Sequence, residues 1–164
     1  MATDYIRGID CRLYCSATID TTDSGHTWTE IKRIENLSVN LGAQTVPTTT
    51  RDSTFETVDS TVKTIELTFD YMDTAATVSD AVFNLLKSSY VLKTHLLFWA
   101  ADGAHDTTGT AGWQIPGLLV DFSISQDLGS VLRYNVSVAA VRATNTAGTA
   151  TIDPQWVDTT PPPS

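Results

Sequence analysis

The sequence predicts a mainly β fold, either a β-sandwich or a partly closed barrel, with one flanking α-helix. Thr is the commonest residue, and with Val, Ile and the aromatic residues it suits a pleated, half-buried surface. Several segments alternate apolar and polar residues with the period of two that is typical of strands, whereas one segment has apolar residues at helical spacing. With 164 residues, of which 41% are hydrophobic, the chain has the size of one domain with a substantial core.

The first predicted strand runs from Ile9 to Ile19. Its apolar face includes Cys11 and Cys15, which we interpret as small core residues. Strand residues four apart lie about 13 Å from each other, too far for a disulfide. After the turn residues 20–25, we predict a second strand from Thr27 to Ile34 and a third over residues 36–41.

The alternation is lost over residues 42–61, a polar segment that predicts a long loop. Loops of this length inside a domain are uncommon and tend to be functional or disordered. Val46, Phe55 and Val58 indicate that this loop docks on its own core or on a neighbouring subunit. The clearest strand follows from Val62 to Met72, with Ile65, Leu67, Phe69 and Tyr71 on one face and Thr64, Glu66, Thr68 and Asp70 on the other.

One helix is predicted at about residues 77–90. Thr77 and Asp80 have the spacing of an N-cap and an N3 acid, and an apolar stripe follows at helical spacing, formed by Val78, Val82, Leu85 and Leu86. The next strand, Thr94 to Ala101, is apolar on both faces, as expected of a central strand.

Residues 112–117 lead into an alternating strand that ends at Ser125, and a short turn joins it to a strand from Leu132 to Ala140, which predicts a hairpin. Residues 1–142 therefore form the predicted β domain. Residues 143–164 are polar and end in three prolines and a serine, which predicts an extended C-terminal arm and not a folded element.

Charge and hydropathy exclude several classes of function. The net charge is -9 and the ten Lys and Arg residues are scattered, which disfavours sequence-specific nucleic-acid binding. No stretch approaches the roughly 20 apolar residues of a membrane span, so no membrane partner is expected. The first residues do not resemble a signal peptide, so we expect synthesis and folding in the cytoplasm.

The residues that could carry catalysis do not form a recognisable constellation. His105 beside Asp106, or His95 near Trp99, could act as a general base, but no Ser or Cys nucleophile lies in a recognisable elbow. Asp20, Asp23 and Ser24, or Asp102 and Asp106, lack the Gly and the distal Glu of a calcium-binding EF-hand loop. No Gly-rich phosphate loop follows a strand. We therefore predict a protein that is not an enzyme and has no cofactor or metal.

The tryptophans allow a binding alternative. Trp28, Trp99, Trp113 and Trp156 could stack on carbohydrate, as in a sugar-binding β-sandwich, although scattered aromatic residues usually pack in the core and Trp99 is expected to do so. The face that carries Glu66 and Asp70 also has a plain interpretation, because one side of an antiparallel sheet is commonly solvated.

Taken together, several segments resemble the tail tube (major tail) proteins of long-tailed bacteriophages. They are residues 28–31, the loop Thr50 to Ser53 with Phe55 behind it, the strand Ile65 to Tyr71, the helix, and residues 113–125. The resemblance covers roughly residues 5–142. It implies a tail-tube-like β fold and a virion structural protein whose hexameric rings self-assemble into a stacked tube, through which DNA passes during ejection.

The resemblance also implies partners and residue roles. The expected partners are further copies of the chain, the tape measure, tail terminator and baseplate proteins, and passing DNA that is not bound by sequence. The expected location is the virion tail, after assembly in the host cytoplasm. In the loop 42–61, Arg51, Asp52 and Ser53 would make polar contacts between subunits and Val46 and Phe55 apolar ones. Glu66 and Asp70 would line the lumen. A tube protein of a bacterial injection or secretion apparatus, or of a phage-like particle, fits the same pattern.

Overall fold

A computed structural model describes residues 11–19, 26–47, 58–73, 80–125, 131–145 and 148–158. In chain order the elements are β1 (Arg12–Ser16), β2 (Thr29–Glu30), β3 (Ile34–Pro47), β4 (Val58–Met72), α1 (Ala81–Leu92), β5 (Leu96–Ala101), β6 (Ala111–Ser125), β7 (Arg133–Ala140), β8 (Ala143–Thr144), β9 (Thr151–Ile152) and β10 (Gln155–Asp158). All described strand pairs are antiparallel.

The main sheet has the strand order β2-β1-β5-β6-β7-β4-β3, and β10 pairs with β6. Strand β6 belongs to two parts of this sheet, because it pairs with β5 up to Gly117 and with β7 from Gly117 onward. We call the part with β2, β1, β5, β10 and residues 111–117 the first half. The part with residues 117–125, β7, β4 and β3 is the second half.

The two halves face each other across the core. Phe69 on β4 and Phe98 on β5 have ring centroids 6.5 Å apart, although β6 and β7 separate their strands in the sheet. The two halves join at β6. A register shift in β6 between Leu119 and Asp121 lies close to this junction, and a β-bulge there increases the twist and the bend of the strand. The predicted mainly β fold with one helix is confirmed, and the described strands do not close into a barrel.

The core lies between the halves, where the predicted apolar faces meet. Its fully or almost fully buried side chains include Leu13, Cys15, Leu67, Phe69, Tyr71, Leu86, Phe98, Ile115, Val136 and Val138. Burying each large apolar side chain stabilises the fold by about 1.5–3 kcal/mol relative to leaving it exposed. Helix α1 covers one end of this core, since the Phe83 ring lies 4.9 Å from that of Tyr134 and 6.0 Å from that of Tyr71.

The helix begins and ends later than the predicted residues 77–90. Asp80 is the N-cap and not the N3 acid, and its carboxylate accepts from the backbone N–H of Val82 at 2.9 Å and of Phe83 at 3.4 Å. At the other end Lys93 adopts a left-handed conformation with φ 52°, and its N–H donates to the Ser89 carbonyl. Thr77 lies outside the described residues.

The predicted loop 42–61 is largely a two-stranded arm. Strand β3 continues to Pro47 and β4 begins at Val58, with backbone pairing from Gly42 opposite Thr64 to Pro47 opposite Val58. This segment therefore pairs as two strands although its sequence lacks apolar alternation. Strand β7 reaches β4 only as far as Glu66, so residues 41–47 and 58–65, here called the arm, extend beyond the rest of the second half.

The prediction that residues 143–164 form an unfolded extension is wrong for the part that the structure describes. Strands β8 and β9 pair with each other, and β10 adds to the edge of β6. Ala143 and Ile152 are buried against Leu97. The Arg142 guanidinium donates two hydrogen bonds of 2.9 Å to Asp153. A few well-placed apolar residues thus suffice to dock a polar segment on a preformed sheet.

The first two strands are shorter than predicted, and the two cysteines differ. Strand β1 spans Arg12–Ser16, so Cys11 precedes it and is exposed, whereas Cys15 is buried. The expectation that Cys11 is a core residue is therefore wrong, because the alternating pattern extends beyond the paired strand. Burial raises the pKa of the Cys15 thiol to about 12.

Candidate functional site

The outer faces of the two halves differ in what covers them. On the first half, Tyr14 and Trp99 are buried, and Leu97 is covered by the C-terminal residues Ala143 and Ile152. On the second half, the outward side chains are polar, and those of Glu66 and Asp121 are exposed. Among the described residues, the outward face of the second half is therefore the candidate surface for function.

Cross-strand register assembles this surface, which we call the polar face. Side chains alternate between the two sides of a strand, so partners opposite the polar residues of β4 lie on the same side. Thr68 lies opposite Ser38 on β3 and Ser137 on β7, and Ser137 in turn lies opposite Asp121. The neighbouring row on this face contains Glu35, Asp70, Asn135 and Ser123.

The carboxylates of the polar face are held mainly by neutral donors. Ser137 Oγ donates to Glu66 Oε1 at 2.8 Å, Asn36 Nδ2 donates to Asp70 Oδ2 at 2.7 Å, and Ser123 Oγ donates to Asp121 Oδ2 at 3.1 Å. The ion pair that described residues form on this face joins Arg133 to Glu35 at 3.1 Å. Among the described residues of this face, four carboxylates therefore share one guanidinium, and the surface is acidic.

The structure places some of the predicted site residues and leaves others untested. Glu66 and Asp70 lie four residues apart on β4, and both side chains are on the polar face, as the alternation of this strand predicts. Val46 lies in β3, where its backbone pairs with that of Asp59. Arg51, Asp52, Ser53 and Phe55 fall outside the described residues.

Two carboxylates of the polar face were missed from the sequence. The alternation of Asp121 with Phe122 in a recognisable strand indicates that Asp121 lies on the polar side of that strand. Only the pairing of β6 with β7 brings it near Glu66. Glu35 could not be assigned to a face from the sequence. A register shift separates it from Ser38, so the alternation of the following residues does not extend back to it.

A second polar cluster fixes α1 to the second half. The Tyr71 hydroxyl donates to Asp80 Oδ2 at 2.5 Å, and Arg33 Nη1 lies 3.2 Å from the same oxygen. Burial alone would raise the pKa of Asp80, but the hydrogen bonds from Tyr71 and from the backbone N–H groups of Phe83 and Val82, with the charge of Arg33, hold it below its ordinary value. This cluster has a structural role, because its hydrogen bonds and its ion pair attach the start of α1 to the second half.

One of the two histidines considered for catalysis, His105, has a structural environment. The backbone N–H of His105 donates to the Tyr14 hydroxyl at 3.2 Å, and the two rings meet edge to face at 5.3 Å. Asp102 accepts from the Ala111 N–H at 2.7 Å, which closes the same loop. Within the described ranges, no group of three or more His, Cys, Asp or Glu residues is placed to hold a metal, and no helix has the length and apolarity to cross a membrane.

The tryptophans do not form a shared platform. Trp99 is buried, as predicted, whereas Trp156 is 59% exposed and meets Trp113 edge to face with centroids 5.7 Å apart. Trp113 is thus partly covered by the chain's own C-terminal strand.

Comparison with solved structures identifies the fold. A chain from the tail of an empty gene transfer agent particle, refined helically with C6 symmetry, matches with a TM-score of 0.61 and 14% identity over 84% of this chain and 95% of that one. The SPP1 tail tube matches with a TM-score of 0.68 and 10% identity over 96% and 81%. The chain has the fold of a tail tube subunit.

A further match extends the tail-tube fold to a different kind of particle. The anti-feeding prophage baseplate, solved with six-fold symmetry, matches with a TM-score of 0.52 and 12% identity over 96% of this chain and 98% of that one. No protein-family model matches the sequence, and no curated protein does. The likeness lies in the backbone architecture, and the resemblance to tail tube proteins is confirmed at the level of fold.

Proposed function

We propose that the protein is a structural tail tube subunit that forms hexameric rings, and that these rings stack into a tube for the passage of DNA. The tail-tube fold and the C6 symmetry of a matching assembly support this proposal. Its partners would be further copies of itself and the tape measure, terminator and baseplate proteins. The subunit would act without catalysis, in the virion tail, after assembly in the host cytoplasm.

The observation that carries the proposal is the polar face. DNA binds proteins chiefly through Lys and Arg contacts to phosphate, and a wall of hydroxyls, amides and carboxylates offers almost none. Glu66, Asp70 and Asp121 would repel the phosphates, so a duplex could slide along this wall without being held. The other outer face is covered at Leu97 by the C-terminal residues Ala143 and Ile152 and at Trp99 by Trp28, which favours the second half as the wall of the lumen.

The arm supports contacts between subunits. Residues 41–47 and 58–65 pair with each other but extend beyond β7, so their outer edges have no strand partner among the described residues. We propose that the arm, with the intervening loop that contains Arg51, Asp52, Ser53 and Phe55, reaches an adjacent subunit or ring. Unpaired strand edges are aggregation hazards unless a specific neighbour covers them.

A second candidate is the tube protein of an injection apparatus, which the match to the anti-feeding prophage baseplate favours. The two candidates differ in cargo and not in subunit architecture. Particles purified from producing cells would contain nuclease-protected DNA under the first proposal and none under the second.

Negative-stain microscopy and light scattering of the purified protein test the common part of both candidates. Rings or hollow tubes are expected as the concentration rises. A strictly monomeric species at high concentration, even with tail components added, would contradict the tube function.

A further inference from the structure

One margin of the core is open among the described residues, and we call it the inner groove. Two hollows of about 450 and 1050 Å³ follow each other along β3, which lines the first between Ile34 and Val39 and the second between Leu41 and Ala43. On the other side, the groove is lined by two tryptophans of the first half, Trp156 in the first hollow and Trp113 in the second.

The inner groove continues the core of the domain. Val39 lies opposite Leu67 and Leu41 opposite Ile65, so this row is on the side of β3 that faces the core. Val39 packs against the core, whereas Leu41 and Trp156 are 58% and 59% exposed. Large apolar side chains that remain open in a groove indicate that another segment covers them.

We infer that residues 1–10 of the same subunit occupy the inner groove. Cys11 lines the first hollow, and Trp156 lines the same hollow from β10. The segment that leads into Cys11 is therefore attached at the mouth of the groove. This inference concerns the single subunit and does not depend on the proposed tube function.

The length of the segment matches the groove. From Leu37 to Ala43 the groove follows β3 for about 20 Å, at about 3.3 Å per residue. Ten extended residues reach about 33 Å, which is enough to span both hollows after a change of direction near Cys11. Gly8 can adopt such a turn without a side-chain clash.

The residue types of the segment suit the lining. Tyr5, Ile6 and Ile9 are large apolar groups that can cover the exposed row on β3. Lys63 lines the second hollow and forms no ion pair with another described residue. Asp4, which precedes the two apolar residues farthest from Cys11, has the charge that Lys63 lacks.

The other charged groups of the second hollow already have partners. Arg142 donates two hydrogen bonds to Asp153, and Glu66 accepts one from Ser137. Lys63 is therefore the charged group of this hollow that best identifies the occupant.

The C-terminal residues 159–164 fit the groove less well. They contain no large apolar side chain, and they follow Asp158, which lies opposite Ala111 at the end of β10 away from the second hollow. A second copy of the chain would have to lose its translational freedom, whereas a segment attached at the mouth has an effective concentration of about millimolar. In this position the segment covers an apolar groove that would otherwise favour non-specific association of the free subunit.

Carbodiimide crosslinking of the full chain tests the inference, because it joins a carboxylate to a lysine amine that contacts it. Asp4 is the only Asp or Glu of the tryptic peptide 1–7. Lys32 is the matched target outside the groove, since it lines a different hollow that Cys11 also borders. Asp4 should couple to Lys63 at least about ten times as often as to Lys32, and equal or greater coupling to Lys32 would overturn the inference.

An equal mixture of unlabelled and isotope-labelled protein identifies the subunit that supplies the segment. Crosslinked peptides should be entirely light or entirely heavy, because both partners belong to one chain. Peptides that combine a light and a heavy partner would show that the segment occupies the groove of another copy, and the inference would be wrong.

Two leucine variants test the apolar contact separately from the charge. Leu41→Ser alters the groove, and Leu92→Ser alters an exposed leucine at the end of α1; both sites are more than half exposed, so both variants should fold. Leu41→Ser should lower the ratio of Lys63 to Lys32 coupling at least about threefold, and Leu92→Ser should leave it unchanged. The same ratio in both variants would contradict packing of the segment in the groove.

Discussion

Asp80 should be one of the most sensitive positions for folding, because a single carboxylate joins three elements. Replacing it by Ala removes the N-cap of α1, which costs about 1 kcal/mol. Tyr71 is 2% exposed, and the replacement also leaves its hydroxyl without an acceptor. An unsatisfied buried hydroxyl costs about 1–3 kcal/mol of folding free energy. The Arg33 contact is partly solvated and adds at most about 1 kcal/mol.

These contributions sum to about 2–5 kcal/mol for Asp80→Ala, which for a chain of this length corresponds to roughly 4–20 °C in Tm. Asp80→Asn keeps a good N-cap and loses mainly the charge, so we expect about 1–2 kcal/mol. Tyr71→Phe is the matched control, because it removes the hydroxyl and leaves the cap in place. Urea titration followed by circular dichroism measures all three.

The contribution of Asp80 to the free energy of unfolding should depend on pH, and the direction of its pKa shift fixes the sign of that dependence. The pKa of Asp80 is lowered in the folded protein from its ordinary value of 3.8, so its contribution is fully present above that pH and is lost as the pH falls through the lower folded value. The stability difference between the unaltered protein and Asp80→Asn should therefore be constant near neutrality and shrink below about pH 4. Equal stability of Asp80→Ala and the unaltered protein at pH 7 would refute this role of the carboxylate.

Three further outcomes are expected. Replacing residues 44–62 by Asn-Gly joins Ala43 to its register partner Lys63 and should leave a folded subunit that no longer polymerises; normal tubes would show that the arm is dispensable. Glu66→Lys with Asp70→Lys should permit assembly but slow DNA ejection by creating phosphate contacts in the lumen, and unchanged infectivity would place this face elsewhere. In native protein at pH 8, a thiol reagent should modify Cys11 and not the buried Cys15, and two equally fast thiols would contradict the burial of Cys15.

The sequence predicts the elements whose pattern is set by one buried face. The alternation of Leu67, Phe69 and Tyr71 identified both the strand and its core side, and the doubly apolar strand before Ala101 proved central to the sheet. The arm was missed because its sequence lacks apolar alternation, and only the backbone pairing of β3 with β4 identifies it as a pair of strands. The start of α1 was misplaced because both Thr77 and Asp80 are good caps, and the choice depends on Tyr71 and Arg33, which are distant in sequence.

The candidate site was only half visible for a similar reason. Glu66 and Asp70 share one strand, so their common face follows from a period of two. Glu35 and Asp121 join them through pairing with other strands, and bulges in β3 and β6 hide that register from the sequence. The docking of residues 143–145 and 148–158 also depends on contacts with a preformed sheet, which composition alone does not contain.

A cryo-EM reconstruction of the assembled protein tests the central proposal most directly, because it shows both the symmetry and the orientation of the subunit. We expect hollow tubes with six subunits in each ring, and with Glu66, Asp70 and Asp121 of every subunit facing the channel. A tube whose channel is lined by the first half, or an assembly without ring closure, would contradict the proposal.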